Sequence, residues 1–422
     1  MNTMNSRESE RLGALFDPFC DPYLTDPYAF FADARSVTPV FYSPLIKYWV
    51  VTRHKDIRQI FESPKLFSAS NALSPIQAPC AEARRLLSAG GVSPVPTLTN
   101  VDPPAHTRVR RLANAAFKPK RVATMEPFVR ELVVRFCGKH LVGGHADLVR
   151  DFAWELPALV IFRFLGIPDE DVPRVKAGAA SRLLFMFGQP TEEEQCRLAR
   201  EMAAFWSYAE ELVAARTKEP REDVTSDLVL ARDGELPALT PAEVTTIIYG
   251  LLLAGHETTT NLLGNAFRQL LGQRSAWEEI CRDPSLIPNA IEEVLRLDSS
   301  VIVWRRKTTE AVQVGGVPVP EGADLLLLLG SANRDPEVFE DPERFDIHRA
   351  NAREHLSFGH GQHLCLGAPL ARLEARVVLE EFAARFPSLR LVTGQKFRFM
   401  PNVSFRGPLS LLAEWDGSIA SW

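Results

Sequence analysis

The segment Phe358-Gly-His-Gly-Gln-His-Leu-Cys365-Leu-Gly-Ala-Pro-Leu-Ala-Arg372 constrains this chain more than any other. Three glycines, Gly359, Gly361 and Gly367, crowd a single cysteine. Glycine takes positive φ without strain and lets backbone approach another group closely. Pro369 suits the first turn of a following helix, with an apolar face from Leu370, Ala371, Leu373, Val377 and Val378. A sulfur just ahead of a helix N-terminus faces amide N–H groups and is held as thiolate, the form that binds metals. The segment reads as a platform for a thiolate ligand. A lone cysteine is more often a buried structural residue, but the glycine-dense context outweighs that reading. Zinc on His360, His363 and Cys365 is disfavoured, because structural zinc takes a full tetrahedral set and the chain has no C-x-x-C pair.

The 422 residues are 46% hydrophobic and 24% charged, with net charge −5, which is ordinary globular composition with ample material for a core. No Gly/Ser linker, repeat or low-complexity tract divides them, so a single domain over residues 1–422 is expected. Met1 to Leu12 lacks the apolar core of a signal peptide, and no run reaches the length of a membrane span. Six scattered cysteines fit reduced thiols. Mild acidity without a basic run argues against nucleic acid as a partner. A cytoplasmic monomer that binds neither membrane nor nucleic acid is the expectation.

Hydrophobic periodicity predicts a mainly helical fold with small β-sheets. Helices are predicted over Tyr28–Ala34, His54–Glu62, Phe128–His140, Asp151–Leu165 and Glu192–Arg216. Strands are predicted at Val40–Tyr42, Tyr48–Thr52, Leu389–Leu391 and Leu409–Trp415, with a hairpin around Gly315-Gly316. Ser68 to Thr99, rich in Pro, Ser, Ala and Gly, reads as an irregular loop. Thr240-Pro-Ala-Glu243 is a helix start with a capping box, and the pattern predicts one long helix to Leu271, stopped by Gly272.

Inside that long helix lies Ala254-Gly255-His256-Glu257-Thr258-Thr259-Thr260. Glycine and threonine weaken a helix interior, and threonine hydroxyls compete for backbone carbonyls. A polar, helix-weakening cluster between leucines breaks local consistency, as functional sites do. A solvated face is the bland alternative.

The cysteine segment resembles the haem-binding signature of the cytochrome P-450 family, Phe-Gly-x-Gly-x-His-x-Cys-x-Gly, at every fixed position, and that resemblance spans nearly the full chain. It implies the family's helical fold, with haem b between the long helix and the Cys365 loop. Cys365 would be the iron ligand, with Phe358, Gly359 and Gly367 shaping its loop. The 254–260 cluster resembles the family's oxygen-activation motif, which implies that Glu257 feeds protons inward and Thr258 positions dioxygen and a water. A hydroxyl can donate and accept at one place, and an acid within reach can relay protons. Glycine or alanine ahead of the pair would leave room for dioxygen.

Glu293 and Arg296 form an ordinary helical pair by spacing. They resemble the family's Glu-x-x-Arg helix, which implies structural support of the cysteine loop, completed by Arg344 of Pro342-Glu-Arg-Phe345. Haem propionates need cationic partners. The resemblance implies His106 and Arg110, which follow Asp102-Pro-Pro, with Arg306 and His355 at the other propionate positions. Leu253, Ala254, Ile302, Val303 and Val403 fall at substrate-pocket positions. Arg108, Arg111, Lys118, Lys120, Arg372 and Arg376 are candidates for a face that docks an acidic electron donor, or equally for solvated helix faces.

The implied activity is a haem-thiolate monooxygenase. It would insert one atom of dioxygen into a small apolar, aromatic molecule by hydroxylation or O-dealkylation. Electrons would come from NAD(P)H through a ferredoxin or a flavin/iron–sulfur reductase. The tail Phe397–Leu409 resembles haem domains of self-sufficient members fused to such a reductase. A peroxide-driven peroxygenase or peroxidase and a gas-binding haem protein are the alternatives, and the Glu257–Thr258 pair weighs against both.

Overall fold

A computed structural model describes residues 2–234 and 236–416, and side chains there except at 2–6, 173 and 176–180. The fold is mainly helical with small sheets. The chain forms two compact units interleaved along the sequence: Met1–Phe67, Glu126–Leu156 and Thr258–Trp422 in the first, Ser68–Met125 and Pro157–Glu257 in the second.

The first unit carries the sheets. Val40–Ser43 pairs antiparallel with Tyr48–Val51, which runs parallel to Asp324–Leu327, and Trp304–Thr308 pairs antiparallel with that strand. The buried faces of these strands join Ile57, Ile60, Phe61 and Leu356 in one apolar cluster. Val312–Val314 and Val317–Val319 form a hairpin about Gly315 and Gly316, both at positive φ. His145–Asp147, Leu412–Glu414 and Arg390–Leu391 make a third small sheet. Its helices include Glu126–His140, Ile287–Leu297 and Ala368–Arg385, the last of which joins a cluster of edge-on and tilted aromatic rings. Phe382 meets Phe152 at 4.8 Å and Phe267 at 4.7 Å between ring centroids.

The second unit is helical. Val172–Phe187 and Glu192–Lys218 form a hairpin, and Thr191 starts the second helix with a closed capping box to Glu194. Within the expected loop 68–99 a helix forms over Ala81–Ala89, its first turn capped by the Cys80 sulfur. Composition hid it, because capping by cysteine carries no sequence signal comparable to Ser or Asp. It lies along Glu192–Lys218, where Gly90 has no room for a Cβ beside Ala203.

The predicted long helix is two helices, Pro241–Ala254 and Glu257–Gly272. The ladder tightens at the junction: Gly255 N–H donates to Leu251 O at 3.0 Å, and His256 N–H donates to Leu253 O at 3.2 Å. A second predicted helix also differs. Val149–Ala153 is a π-turn, and regular helix begins at Leu156.

Candidate active site

Cys365 lies at the exposed tip of its loop in the first unit. Gly359 and Gly361 adopt φ of 73° and 68°, a region closed to most side chains. They fold the chain back so that Cys365 N–H donates to Phe358 O at 2.9 Å. Gly361 also needs its missing side chain, since a Cβ there would stand 3.0 Å from Phe61 O. Gly367 is at φ −83°, and a Cβ there would lie 4.0 Å from Cys365 Sγ, an ordinary contact, so neither backbone freedom nor space demands glycine at this position. Helix Ala368–Arg385 starts three residues after the sulfur, with Pro369 in its first turn.

Behind the loop, Arg372 lies with its guanidinium carbon 4.6 Å from the Phe358 ring centroid. The same guanidinium makes a forked pair with Glu292, at 2.7 and 2.9 Å. Burial alone would raise the Glu292 carboxyl, but hydrogen bonds from His355 and Arg372 outweigh it and hold the group down to about 2. Glu293, one residue on, takes two bonds from Arg296, at 2.7 and 2.8 Å, with both side chains wholly buried. Arg349 Nε also donates to Glu293, so the third member of this cluster is Arg349 and not Arg344. The Arg344 side chain is 64% exposed on Asp346, and only its carbonyl oxygen reaches the cluster, by accepting from Arg296 and Arg349.

His355 also differs from expectation. Its Nδ1 accepts from Ser357 N–H at 3.2 Å, which leaves Nε2–H to donate to Glu292 at 3.1 Å. Burial lowers its pKa against the pull of Glu292, so the ring is neutral. It has no donor left for a propionate. His360 turns to Glu62 at 2.9 Å. No three His, Cys, Asp or Glu side chains among the described residues converge as a metal cage, so the loop offers a single sulfur ligand. That donor set fits a haem whose remaining equatorial ligands come from the porphyrin.

Arg306, also in the first unit, is buried with its guanidinium carbon 5.0 Å from the Phe61 ring centroid, and Nη1 donates to Arg305 O at 2.8 Å. Ile302 is core: its side chain fills the place where a Gly330 Cβ would go, beside Phe31. Val303 and Val403 are fully buried. Of the implied pocket residues, Ala254 alone is exposed, on a helix where Leu252 and Leu253 are buried.

In the second unit, His106 is buried and Arg110 half-buried on one face of helix Ala105–Ala116, where Arg110 also bonds Asn114 at 3.0 Å. Asp102, just ahead, holds the turn at Ser68–Ala69 by accepting from Ser68 Oγ and from Ala69 N–H. Glu257 is 3% exposed, its Oε1 has no hydrogen-bond partner, and burial pushes its carboxyl up to about 7. Thr258 follows it, half-buried. The expected role of Gly255 changes, because a Cβ there would meet Ile161 Cγ1 at 2.5 Å. Its missing side chain makes room for Ile161 rather than for a ligand. Most of the expected basic face is neutralised: Arg108 pairs with Glu243, Arg111 with Asp233, Arg372 with Glu292, and Arg376 with Glu126 and Glu380.

The profile of the cytochrome P-450 family matches residues 179–402. Cytochrome P-450 107B1 of Saccharopolyspora erythraea is 37% identical over 85% of this chain and 87% of its own length. An intact type IV self-sufficient cytochrome P-450 monooxygenase superposes with TM-score 0.92 at 40% identity, over 96% of this chain. This chain spans 53% of that one, about half its length. Cytochrome P-450 CREJ, solved in complex with (4-ethylphenyl) dihydrogen phosphate, gives TM-score 0.92 at 38% identity, over 96% of this chain and all of its own. Among the described residues no helix is long and apolar enough to cross a membrane.

Proposed function

As the chain belongs to the cytochrome P-450 family of monooxygenases, we propose that Cys365 is the thiolate ligand of haem b and that Glu257 and Thr258 manage protons. The chain would then insert one oxygen atom from dioxygen into a small, largely apolar molecule by hydroxylation or O-dealkylation. One observation carries this reading: an exposed thiol held on a glycine-turned loop just ahead of a helix N-terminus. Bound there, haem supplies the oxygen-activating chemistry, and thiolate donation favours O–O cleavage.

The protein groups do the rest. The Ala368–Arg385 helix start favours the sulfur as thiolate. Arg372, stacked on Phe358 and forked to Glu292, keeps the loop in place. Glu257, poised near neutrality by burial, holds a proton and gives it up within the working range. The Thr258 hydroxyl, next in sequence, accepts from one side and donates to the other. His106, Arg110 and Arg306 are proposed propionate partners. On the cysteine loop we assign that role to His363 in place of His355, whose ring nitrogens are both spent.

A single functional domain is consistent with chain path: the two units alternate four times along the sequence, so no one linker separates them. The solved relative bound to an alkyl-substituted phenyl phosphate supports a small aromatic substrate. The self-sufficient relative supports electron supply by a redox partner; NAD(P)H as the source, with a flavin/iron–sulfur reductase or a separate ferredoxin as carrier, belongs to the same proposal.

The test is the spectrum of the reduced, carbon monoxide-bound holoprotein. A far red-shifted Soret band that disappears in Cys365→Ala is expected. A band at the position typical of histidine ligation, or unchanged oxygenation by Cys365→Ala, overturns the assignment.

A further inference from the structure

Arg182, on helix Val172–Phe187, is a buried cation with no anion among the described residues. It is 5% exposed. Its one hydrogen bond runs from Nη1 to the Tyr249 carbonyl oxygen at 2.9 Å, and its guanidinium carbon lies 4.2 Å from the Tyr249 ring centroid. Among the described residues no carboxylate pairs with it, and burial depresses its pKa with only Tyr249 opposing. A guanidinium has several N–H donors in a fixed fork and does not deprotonate in proteins. Buried charges are normally paired. The same unit shows the ordinary solution at Arg216, equally buried, which has Asp223 and the Gly166 carbonyl.

The surroundings of Arg182 are rich in donors and poor in acceptors. Tyr249 Oη and Trp206 Nε1 are both buried with no hydrogen-bond partner, and their rings meet at 5.2 Å between centroids. Each buried unsatisfied polar group needs an account, and here two side chains, on Tyr249 and Trp206, have O–H and N–H capacity unspent beside the guanidinium. There is also space. Among the described residues, a Cβ on Gly250 would find nothing within 4 Å except Arg182 Nη1, at 4.0 Å. Gly250 and Ala254 share a helix face, one turn apart. Both escape burial while Tyr249, Leu252 and Leu253 do not. An open strip therefore runs from the guanidinium to Ala254, three residues before Glu257.

We propose that Arg182 binds the oxyanion end, carboxylate or phosphate, of a substrate whose apolar body lies along the Gly250–Ala254 strip. A forked guanidinium matches either oxyanion, and an anion there supplies the missing counter-charge. The word substrate rests on the monooxygenase reading; the anion site itself does not.

The experiment compares matched ligands on the holoprotein by calorimetry: 4-ethylbenzoate, 4-ethylphenyl phosphate and the neutral 4-ethylbenzyl alcohol. A hydrogen bond to a charged group contributes about 1.5–3 kcal/mol, so at least one anion should bind about tenfold or more tighter than the alcohol. Arg182→Leu should bring anion affinity down to that of the alcohol, Arg182→Lys should keep part of the preference, and Tyr249→Phe should weaken it. Preference for benzoate or for phosphate identifies the oxyanion. A thermal upshift produced by the preferred anion should be present in the parent protein and lost with Arg182→Leu. Equal or tighter binding of the alcohol by the parent overturns the proposal, as does a preference that survives in Arg182→Leu. Where Arg182→Leu does not fold, full anion preference in Arg182→Lys and Tyr249→Phe together overturns it. A missing red-shifted Soret band is a separate failure, of the haem-thiolate reading alone.

Discussion

Arg349 Nε donates to both carboxylate oxygens of Glu293, at 3.2 and 3.1 Å, and closes the buried cluster that Arg296 opens from the other side. Two guanidiniums thus face one carboxylate, and their surplus donors go to carbonyl oxygens. Arg296 reaches Asn333, Pro342 and Arg344, and Arg349 reaches Glu340, Asp341 and Arg344.

Removing one member of that cluster strands the others in a dry interior. Arg349→Leu and Glu293→Gln should each cost about 3–5 kcal/mol. Arg344→Ala, which loses only an exposed pair with Asp346, should cost at most about 1 kcal/mol. Urea denaturation midpoints of the three variants check the ranking, and an Arg344→Ala loss as large as that of Arg349→Leu contradicts it.

Glu257 makes stability depend on pH. Its folded pKa of about 7 lies above the ordinary 4.5, so the folded state holds the proton more tightly than the unfolded one. The contribution of Glu257 is then greatest below 4.5, falls as pH rises towards 7, and is lost above; the difference of 7 and 4.5 corresponds to about 3 kcal/mol at about 1.36 per unit. Glu257→Gln should flatten that part of the stability profile and should slow turnover on the alkaline side less steeply than in the parent. An unchanged slope between pH 5 and about 7 counts against a titrating Glu257.

Thr258→Ala removes the hydroxyl that follows the buried acid. Product formed per NAD(P)H should fall by about tenfold or more, with peroxide rising to match, since positioned proton transfer contributes on that scale or above. Carbon monoxide spectrum and melting temperature should stay near those of the parent. Coupling equal to the parent's would remove Thr258 from the assigned role.

Gly255→Ala tests a steric relationship. Helix propensity alone would favour alanine by about 1 kcal/mol. The new Cβ would stand 2.5 Å from Ile161 Cγ1, and such overpacking costs about 1–3 kcal/mol. The variant should therefore be less stable, and combining it with Ile161→Ala should cost less than the sum of the single losses. Strict additivity would mean that Ile161 is not what excludes the side chain.

What the sequence made legible follows from where backbone chemistry is forced. Gly359 and Gly361 occur where positive φ is needed, so the cysteine loop could be read residue by residue. The helix end marked by a capping box at Thr240 was legible for the same reason, whereas the box at Thr191 came from the structure. The 254–260 cluster marked a weak point in the long helix, but the close approach of Ile161 to Gly255 was not legible, because Ile161 is remote in sequence. Likewise Arg344 and Arg349 are both arginines after the same helix, and only three-dimensional placement selects between them. Arg182 gave no sign at all: its distinction is the absence of an acid nearby, which spacing does not encode.

Residues 333 to 357 contain little regular structure, yet their carbonyl oxygens are gripped by the arginine side chains of the Glu293 cluster, and Asn333 ties to Leu356 and Ser357. Irregular chain fixed by side chains instead of ladders resists nicking only while every clamp holds. The stretch leading into the cysteine loop should therefore resist proteases in the intact protein and be cut early once a single guanidinium is lost.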